Sequence, residues 1–368
     1  MKLTRTAKIK INMLAEEILP TMKAYTKAFN YVCQIGYTKK DKNGVSLHKK
    51  TYNTVREYLP SQLAISSRMK ATEALASVFT KTKYKKYGSC PVSKSCSIRY
   101  DQNSYSLFLQ KQEVSLLTIS GRKRYALVIP EYYKEQFATW KHCSADLCVI
   151  KNKVYLHIAF EKEISDVPAT GKLIGIDRGI NNLAVTSNNK FFGGGTIKKQ
   201  VTKYQRLRSS LQSKGTTSAK RHLKKLSHKE RQFRADINHK ISKQIVTSLN
   251  PGDTIVLENL KGIRGSRLRK KQRILLNNWL FFQLEQFITY KAFAKSINVE
   301  HVDARFTSQR CSKCGYIYRQ NRKTQASFCC MSCGFRLNAD LNASRNICNK
   351  HLESYKLSDR AVVNQPIV

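Results

Sequence analysis

Acidic residues are scarce in this 368-residue chain: 24 Asp and Glu stand against 67 Lys and Arg, a formal net charge of +43. That imbalance excludes a compact protein whose charges are matched internally, because self-repulsion opposes folding. A polyanion is the natural counterpart, and nucleic acid, whose phosphates release counterions to Lys and Arg, suits best. A merely soluble basic protein is the bland alternative, but the basic residues are too clustered for it. No run of 18 apolar residues occurs, which excludes a membrane-spanning helix. The start, Met1-Lys2-Leu3-Thr4-Arg5, lacks the apolar core of a secretion signal. A cytoplasmic protein of a bacterium or archaeon is expected. The sequence has no G-x-S-x-G, P-loop or H-E-x-x-H, so serine hydrolase, NTPase and zincin chemistry find no support. Internal repeats are also missing. The 11 cysteines make an odd number, and five fall between 311 and 333. That distribution speaks against a disulfide framework and for a metal site.

What is there suffices for real cores. Hydrophobic residues make up 41% and aromatics 10%, and the length suggests two to three domains. Residues 3–12 alternate and read as a strand. From 13 to about 85 the pattern is helical, with breaks expected near Pro20, Gly44 and Pro60. Short strand signals follow at Ser97–Tyr100 and Tyr105–Leu109, then a hairpin over Leu147–Phe160. Val167-Pro168-Ala169-Thr170-Gly171 reads as a linker. A second core opens with Leu173-Ile174-Gly175-Ile176-Asp177, and Leu183-Ala184-Val185-Thr186 suggests an antiparallel neighbour. Residues 196–250 read as one long helical stretch. Between Thr196 and Ala235 it holds 13 Lys and Arg and one acid, Glu230. Thr254-Ile255-Val256-Leu257-Glu258 is another buried strand, followed by a basic loop from Lys261 to Arg273. Leu276, Leu280, Leu284 and Phe287 mark one more helix, and Val299–Val302 one more strand. The basic stretches offer Lys198, Lys199, Lys203, Arg206, Arg208, Lys220, Arg221, Lys224, Arg264, Arg267, Arg269 and Lys270 as nucleic-acid contacts. A solvated helix face is the alternative for the first of them.

Two C-x-x-C-G knuckles, Cys311-Ser312-Lys313-Cys314-Gly315 and Cys330-Met331-Ser332-Cys333-Gly334, stand 15 residues apart. This is the spacing of a four-cysteine zinc ribbon. Four thiolates leave no open coordination position, so such a zinc is structural. Cys329 is a spare that could compete with Cys330. The remaining cysteines read as apolar fillers.

In so acid-poor a chain, carboxylates that end buried strands are informative. Asp177 and Glu258 both do so, and Asp340 opens Asp340–Ile347, which reads as a short helix. Taken singly, solvation, an Arg partner or a helix N-terminus explains each. Taken together they suit a nuclease. Bare carboxylates brought close would take up protons. Mg²⁺ or Mn²⁺ relieves that repulsion, and a pair of such ions can activate water and steady a leaving oxygen.

Four segments in this order, Ile174–Gly179, Val256–Leu260, Thr307–Gly315 and Asp340–Ile347, resemble the TnpB family. These are transposon-encoded RNA-guided nucleases related to type V CRISPR effectors. The likeness is close over 172–350 and looser before it. It implies an α/β multi-domain protein. Its RNase H-like (RuvC) domain would span 172–306, with a zinc ribbon at 307–336 inserted before a final helix at 337–350. A wedge β-barrel would be split between 1–12 and 90–171 by a helical recognition lobe at 13–89. A disordered tail is expected at 351–368. The resemblance implies Asp177, Glu258 and Asp340 as catalytic ligands of Mg²⁺ (or Mn²⁺), with Cys311, Cys314, Cys330 and Cys333 holding Zn²⁺. The implied partners are a guide RNA and target double-stranded DNA beside a short motif, with one protein, or two, per RNA. A compact CRISPR effector, a guided repressor without cleavage, and a transposase working without RNA are the alternatives. Delegated recognition also suits the small size, since an RNA guide supplies ~20 bp of pairing that side chains here could not read.

Overall fold

Leu3, Ala7, Ile9 and Ile11 alternate with Lys8, Lys10 and other polar residues, and that period of two forms β1 (Lys2–Asn12) with its apolar side buried. The computed structural model describes residues 2–80, 88–165, 167–260 and 281–363, and the chain divides into two units, Met1–Glu163 and Ile164–Val368. In the first unit α1 (Ala15–Thr38), α2 (Gly44–Arg56) and α3 (Ser61–Val78) follow β1. Then come β2 (Ile98–Tyr100), β3 (Tyr105–Phe108), β4 (Glu113–Thr118), β5 (Gly121–Val128), α4 (Lys134–Thr139), β6 (Lys141–Ile150) and β7 (Lys153–Glu163).

The strands form one antiparallel sheet in the order β2-β6-β7-β1-β5-β4-β3. It curls nearly to closure. The Tyr105 hydroxyl of one edge donates to the Cys143 carbonyl near the other (2.9 Å), and the Tyr100 hydroxyl donates back to Leu117 (3.1 Å). Sheet and helices share a single core, in which Ile9 and Ile11 join Tyr25, Leu47, Leu63 and Leu75. The expected breaks at Gly44 and Pro60 coincide with helix starts, and the Asn43 side chain caps α2. The break expected at Pro20 does not occur. Proline forfeits one intrahelical bond, while the buried stripe Ile18, Met22, Tyr25 and Phe29 holds α1 together through it. Strand β5 carries little signal in sequence, because Gly121–Arg124 are four exposed residues in a row.

The second unit is a five-stranded sheet. Its strands are β8 (Leu173–Asp177), β9 (Asn182–Thr186), β10 (Phe191–Gly193), β11 (Thr254–Asn259) and β12 (Asn298–Asp303). Their order is β10-β9-β8-β11-β12. Strands β8, β9 and β10 pair antiparallel in sequence, whereas β11 lies parallel to both β8 and β12. The stretch expected as one helix over 196–250 is two, α5 (Gly195–Lys214) and α6 (Thr217–Thr247). Gly215 (φ +65°) ends the first, and the Thr216 hydroxyl caps the second by accepting from the Ala219 amide at 3.1 Å. These helices and α7 (Phe281–Phe293) bury Ile241, Ile245, Leu284 and Ile288 against Ile174, Ile176 and Leu257 of the sheet. The expected marks Leu276 and Leu280 lie outside the described residues.

The last helix, α8 (Ala339–Val363), packs on the other face through Ile347 against Val256 and Val302. Gly175 makes this possible. A Cβ there would lie 2.2 Å from the Ser344 carbonyl oxygen, so only glycine lets the helix backbone reach the strand. The helix runs well past the expected end at 350, so residues to Val363 are helical and not a disordered tail. No Pro or Gly interrupts 351–363, and Glu353 is anchored by Arg310 at 2.8 Å. Among the described residues no helix is long and apolar enough to cross a membrane.

Candidate active site and cysteine cluster

Strands β8 and β11 are in register with Ile176 opposite Leu257. Asp177 and Glu258 therefore occupy the next rung, side by side at the C-terminal ends of two central strands. Neighbouring strands lie about 4.8 Å apart, which puts Asp177 within range of the Glu258 charge. Asp340 arrives from the first turn of α8. Burial first, then the Glu258 and Asp340 charges, pushes the Asp177 carboxyl well above its ordinary range, while Arg322 and Arg178 oppose the shift. Burial also raises Glu258, against a hydrogen bond from Thr307 and the Arg178 charge. Three acids from distant points of the chain thus share one electrostatic site.

Their neighbours restrain them. Thr307 donates to Glu258 Oε1 at 2.5 Å. Asn182 donates to Asp340 Oδ2 at 2.8 Å, and Arg322 to Asp340 Oδ1 at 3.1 Å. Arg178, whose side chain is fully buried, donates to the Glu258 carbonyl at 2.6 Å and to Glu285 Oε2 at 2.6 Å. Glu285 in turn contacts His301 Nε2 at 3.0 Å. These contacts draw the carboxylates toward polar or positive partners, as expected of like charges at close quarters. Arg322, Asn182 and Glu285 have no signature of their own in sequence, and Thr307 has only its place at the start of the Thr307–Gly315 segment. Arg178 has one, its place directly after Asp177.

A second cluster lies in the segment between β12 and α8. Each C-x-x-C-G forms the same knuckle. Gly315 donates its amide to Cys311 and Gly334 to Cys330, both glycines at positive φ, while Cys311 and Cys330 donate to Tyr316 and Phe335. Cys311 Sγ is 3.7 Å from Cys333 Sγ, and Cys314 Sγ is 3.6 Å from Cys330 Sγ. Among the described residues this is the one group of three or more Cys, His, Asp or Glu whose ligand atoms all lie within 4.8 Å of one another. The four sulfurs are placed to hold a metal ion; the three acids converge less tightly. Cys329, on β13 (Ser327–Cys329), which pairs with β14 (Arg336–Asn338), stays outside the set.

The basic candidates sort themselves. Lys199, Lys203 and Arg206 on α5, and Lys220, Arg221 and Lys224 on α6, are exposed. Lys198 is half-buried and donates to Asn181, and Arg208 is bound to buried Glu230. Glu230, the one acid of that stretch, is thus an internal counterion for Arg208 and Arg234. Arg264, Arg267, Arg269 and Lys270 lie outside the described residues.

Residues 157–262 match the family model OrfB_IS605, described as Probable transposase, and residues 281–347 match the Cas12f1-like TNB domain. The chain is similar to the TnpB-like and Cas12f proteins. It is 36% identical to the CRISPR-associated endodeoxyribonuclease Cas12f1 of Sulfoacidibacillus thermotolerans over 219 residues, 54% of this chain and 50% of that protein. This chain therefore spans about half the length of that relative. A TnpB-like protein of Methanocaldococcus jannaschii is 27% identical over 257 residues, 64% of this chain and 90% of that one. In structure, the protein chain of a Cas12f1-sgRNA-target DNA complex matches with a TM-score of 0.65 at 15% identity, covering 90% of this chain and 82% of that one. The fold is therefore that of Cas12f1, an α/β architecture carrying a four-cysteine cluster.

Proposed function

We propose that this protein is an RNA-guided DNA endonuclease of a transposable element, hydrolysing double-stranded DNA beside a short flanking motif at Asp177, Glu258 and Asp340. One observation carries the reading: in a chain with only 24 acids, three from separate elements come together at the ends of neighbouring strands, where burial and the Glu258 and Asp340 charges raise the Asp177 carboxyl well above its ordinary range. Such an arrangement is unfavourable for folding alone. The antiparallel β10-β9-β8 set beside parallel β11 and β12 supports an RNase H-like (RuvC) domain over 172–306. The near-closed first sheet with helices inserted after β1 supports a wedge β-barrel carrying a recognition lobe. A structural Zn²⁺ suits the four thiols at 307–336.

Hard carboxylate oxygens that repel one another suit Mg²⁺ or Mn²⁺, with Asp177, Glu258 and Asp340 as holders. When bound, such ions lower the pKa of water and stabilise the leaving oxygen of a phosphodiester. The residues do the positioning. Thr307 fixes one Glu258 oxygen, Asn182 and Arg322 orient Asp340, and Arg178 ties the end of β11 to α7 through Glu285. Arg322 also brings a positive charge to where a phosphate would sit.

The net charge of +43 and the guide and target in the matched complex support RNA and DNA partners, in a cytoplasmic monomer or dimer on one RNA. The likeness to a Cas12f1 also favours a compact CRISPR effector as second reading. Sequencing the RNA that copurifies separates them, since a transposon end and a repeat-spacer transcript differ in sequence. With that RNA and Mg²⁺, the wild type should cut a matched duplex, and Asp340→Ala should lose at least ~10²-fold in rate while keeping the RNA. An intact target with wild type refutes the reading.

A further inference from the structure

Between one and three turns past Asp340 along α8 lies a cavity of about 360 Å³, whose lining includes Ser187, Ser312, Lys313, Phe335, Arg345, Cys348 and Asn349. Its size is that of a small-molecule site. It is set apart from the acids. Arg345 is five residues beyond Asp340, about 7.5 Å along the helix, and Asn349 about 13.5 Å. Ser187 exchanges hydrogen bonds with Gly175, two residues ahead of Asp177 (2.9 and 3.1 Å).

The lining is one-sided in charge. It holds two cations and no carboxylate. Elsewhere in this region the arginines are matched: half-buried Arg310 with Glu353 and Arg322 with Asp340, and buried Arg178 with Glu285. Neither Lys313 nor Arg345 has an acidic partner among the described residues. Two like charges facing one cavity repel, and an anion placed between them removes that repulsion. Phe335 adds a half-buried ring, and Ser187, Ser312 and Asn349 add hydrogen-bonding groups. An anion joined to a flat ring is the chemistry of a nucleotide.

We propose that this cavity binds one nucleotide unit, with Lys313 and Arg345 on the phosphate and Phe335 against the base. The unit comes either from a bound single strand or from a free nucleotide. The test is photocrosslinking of the full chain, freed of RNA and without added divalent metal, to a short oligothymidylate carrying one 5-iodouracil. Peptide mapping should find an adduct at Phe335. In Lys313→Ala plus Arg345→Ala it should fall roughly tenfold, while adducts on α5 and α6 persist. Lys313→Ala alone, at an exposed position where folding is not at risk, should move the same way. Clearance of the adduct by AMP assigns the site to a free nucleotide, and clearance only by unlabelled oligonucleotide assigns it to a strand. If Phe335 stays unmodified while α5 or α6 react, or if either variant leaves its adduct unchanged, the proposal falls. Binding is read here without cleavage, so that failure would leave the nuclease reading standing.

Discussion

Asp177 is where a bare charge is least welcome. Burial, then Glu258 and Asp340, raises its pKa in the folded state, so the folded protein holds that proton longer than the unfolded chain. The group's unfavourable effect is absent below the ordinary carboxylate range and grows as pH rises from there through the raised value. Without divalent cations the penalty from this group should therefore be larger at pH 8 than at pH 5. Asp177→Asn should raise the melting temperature at pH 8 by about 2–4 °C for each kcal/mol relieved. Scanning calorimetry checks this, and a lower melting point for the variant would count against the shared site. Arg322 is the complementary case, since it sits on Asp340 at 3.1 Å. Arg322→Ala should slow single-turnover cleavage by roughly 10²-fold with the fold intact; unchanged turnover would remove Arg322 from the site. At this scale Asp177 and Glu258 are legible in sequence because each ends an apolar run. Arg322 and Asn182 are not, since each is one polar residue among many until folding sets it against a carboxylate.

Helix α8 and the cysteine knuckles carry the next level. Gly175→Ala would place a methyl group 2.2 Å from the Ser344 carbonyl, forcing α8 away from β8 and shifting Asp340 with it. Denaturant titration should show a loss of roughly 1–3 kcal/mol, and a neutral result would mean that α8 is free to move. The knuckles make a separate claim. Metal analysis should find one zinc per chain. Cys311→Ser plus Cys330→Ser should abolish it and expose 307–338 to protease, and a zinc-free wild type that resists protease would refute the assignment. The knuckles are legible because a short-range spacing encodes them. The division of α5 from α6 is harder to see, since Gly215 is one residue in a stretch without proline. The length of α8 is missed because residues past 350 lack an apolar face, and their helix continues from a packed start and the Arg310–Glu353 pair.

Charge governs the molecule as a whole. With +43 spread over both units, affinity for nucleic acid should fall steeply with salt, log K against log [salt] having a slope near −0.9 for each duplex phosphate neutralised. Filter binding at 50 to 300 mM salt checks it, and a flat profile would dismiss phosphate contacts as the main source of affinity. The chain's own residues, by kind and spacing, determined the basic character, the thiol set, the alternating strands and the acids that end them, because composition and short periods act locally. Tertiary structure alone decided that β11 lies beside β8, that α8 returns Asp340 to the ends of those strands, and that Lys313 and Arg345 face one cavity. Those pairings join residues tens to more than a hundred positions apart, and only the packing of the sheet against its helices brings them within reach.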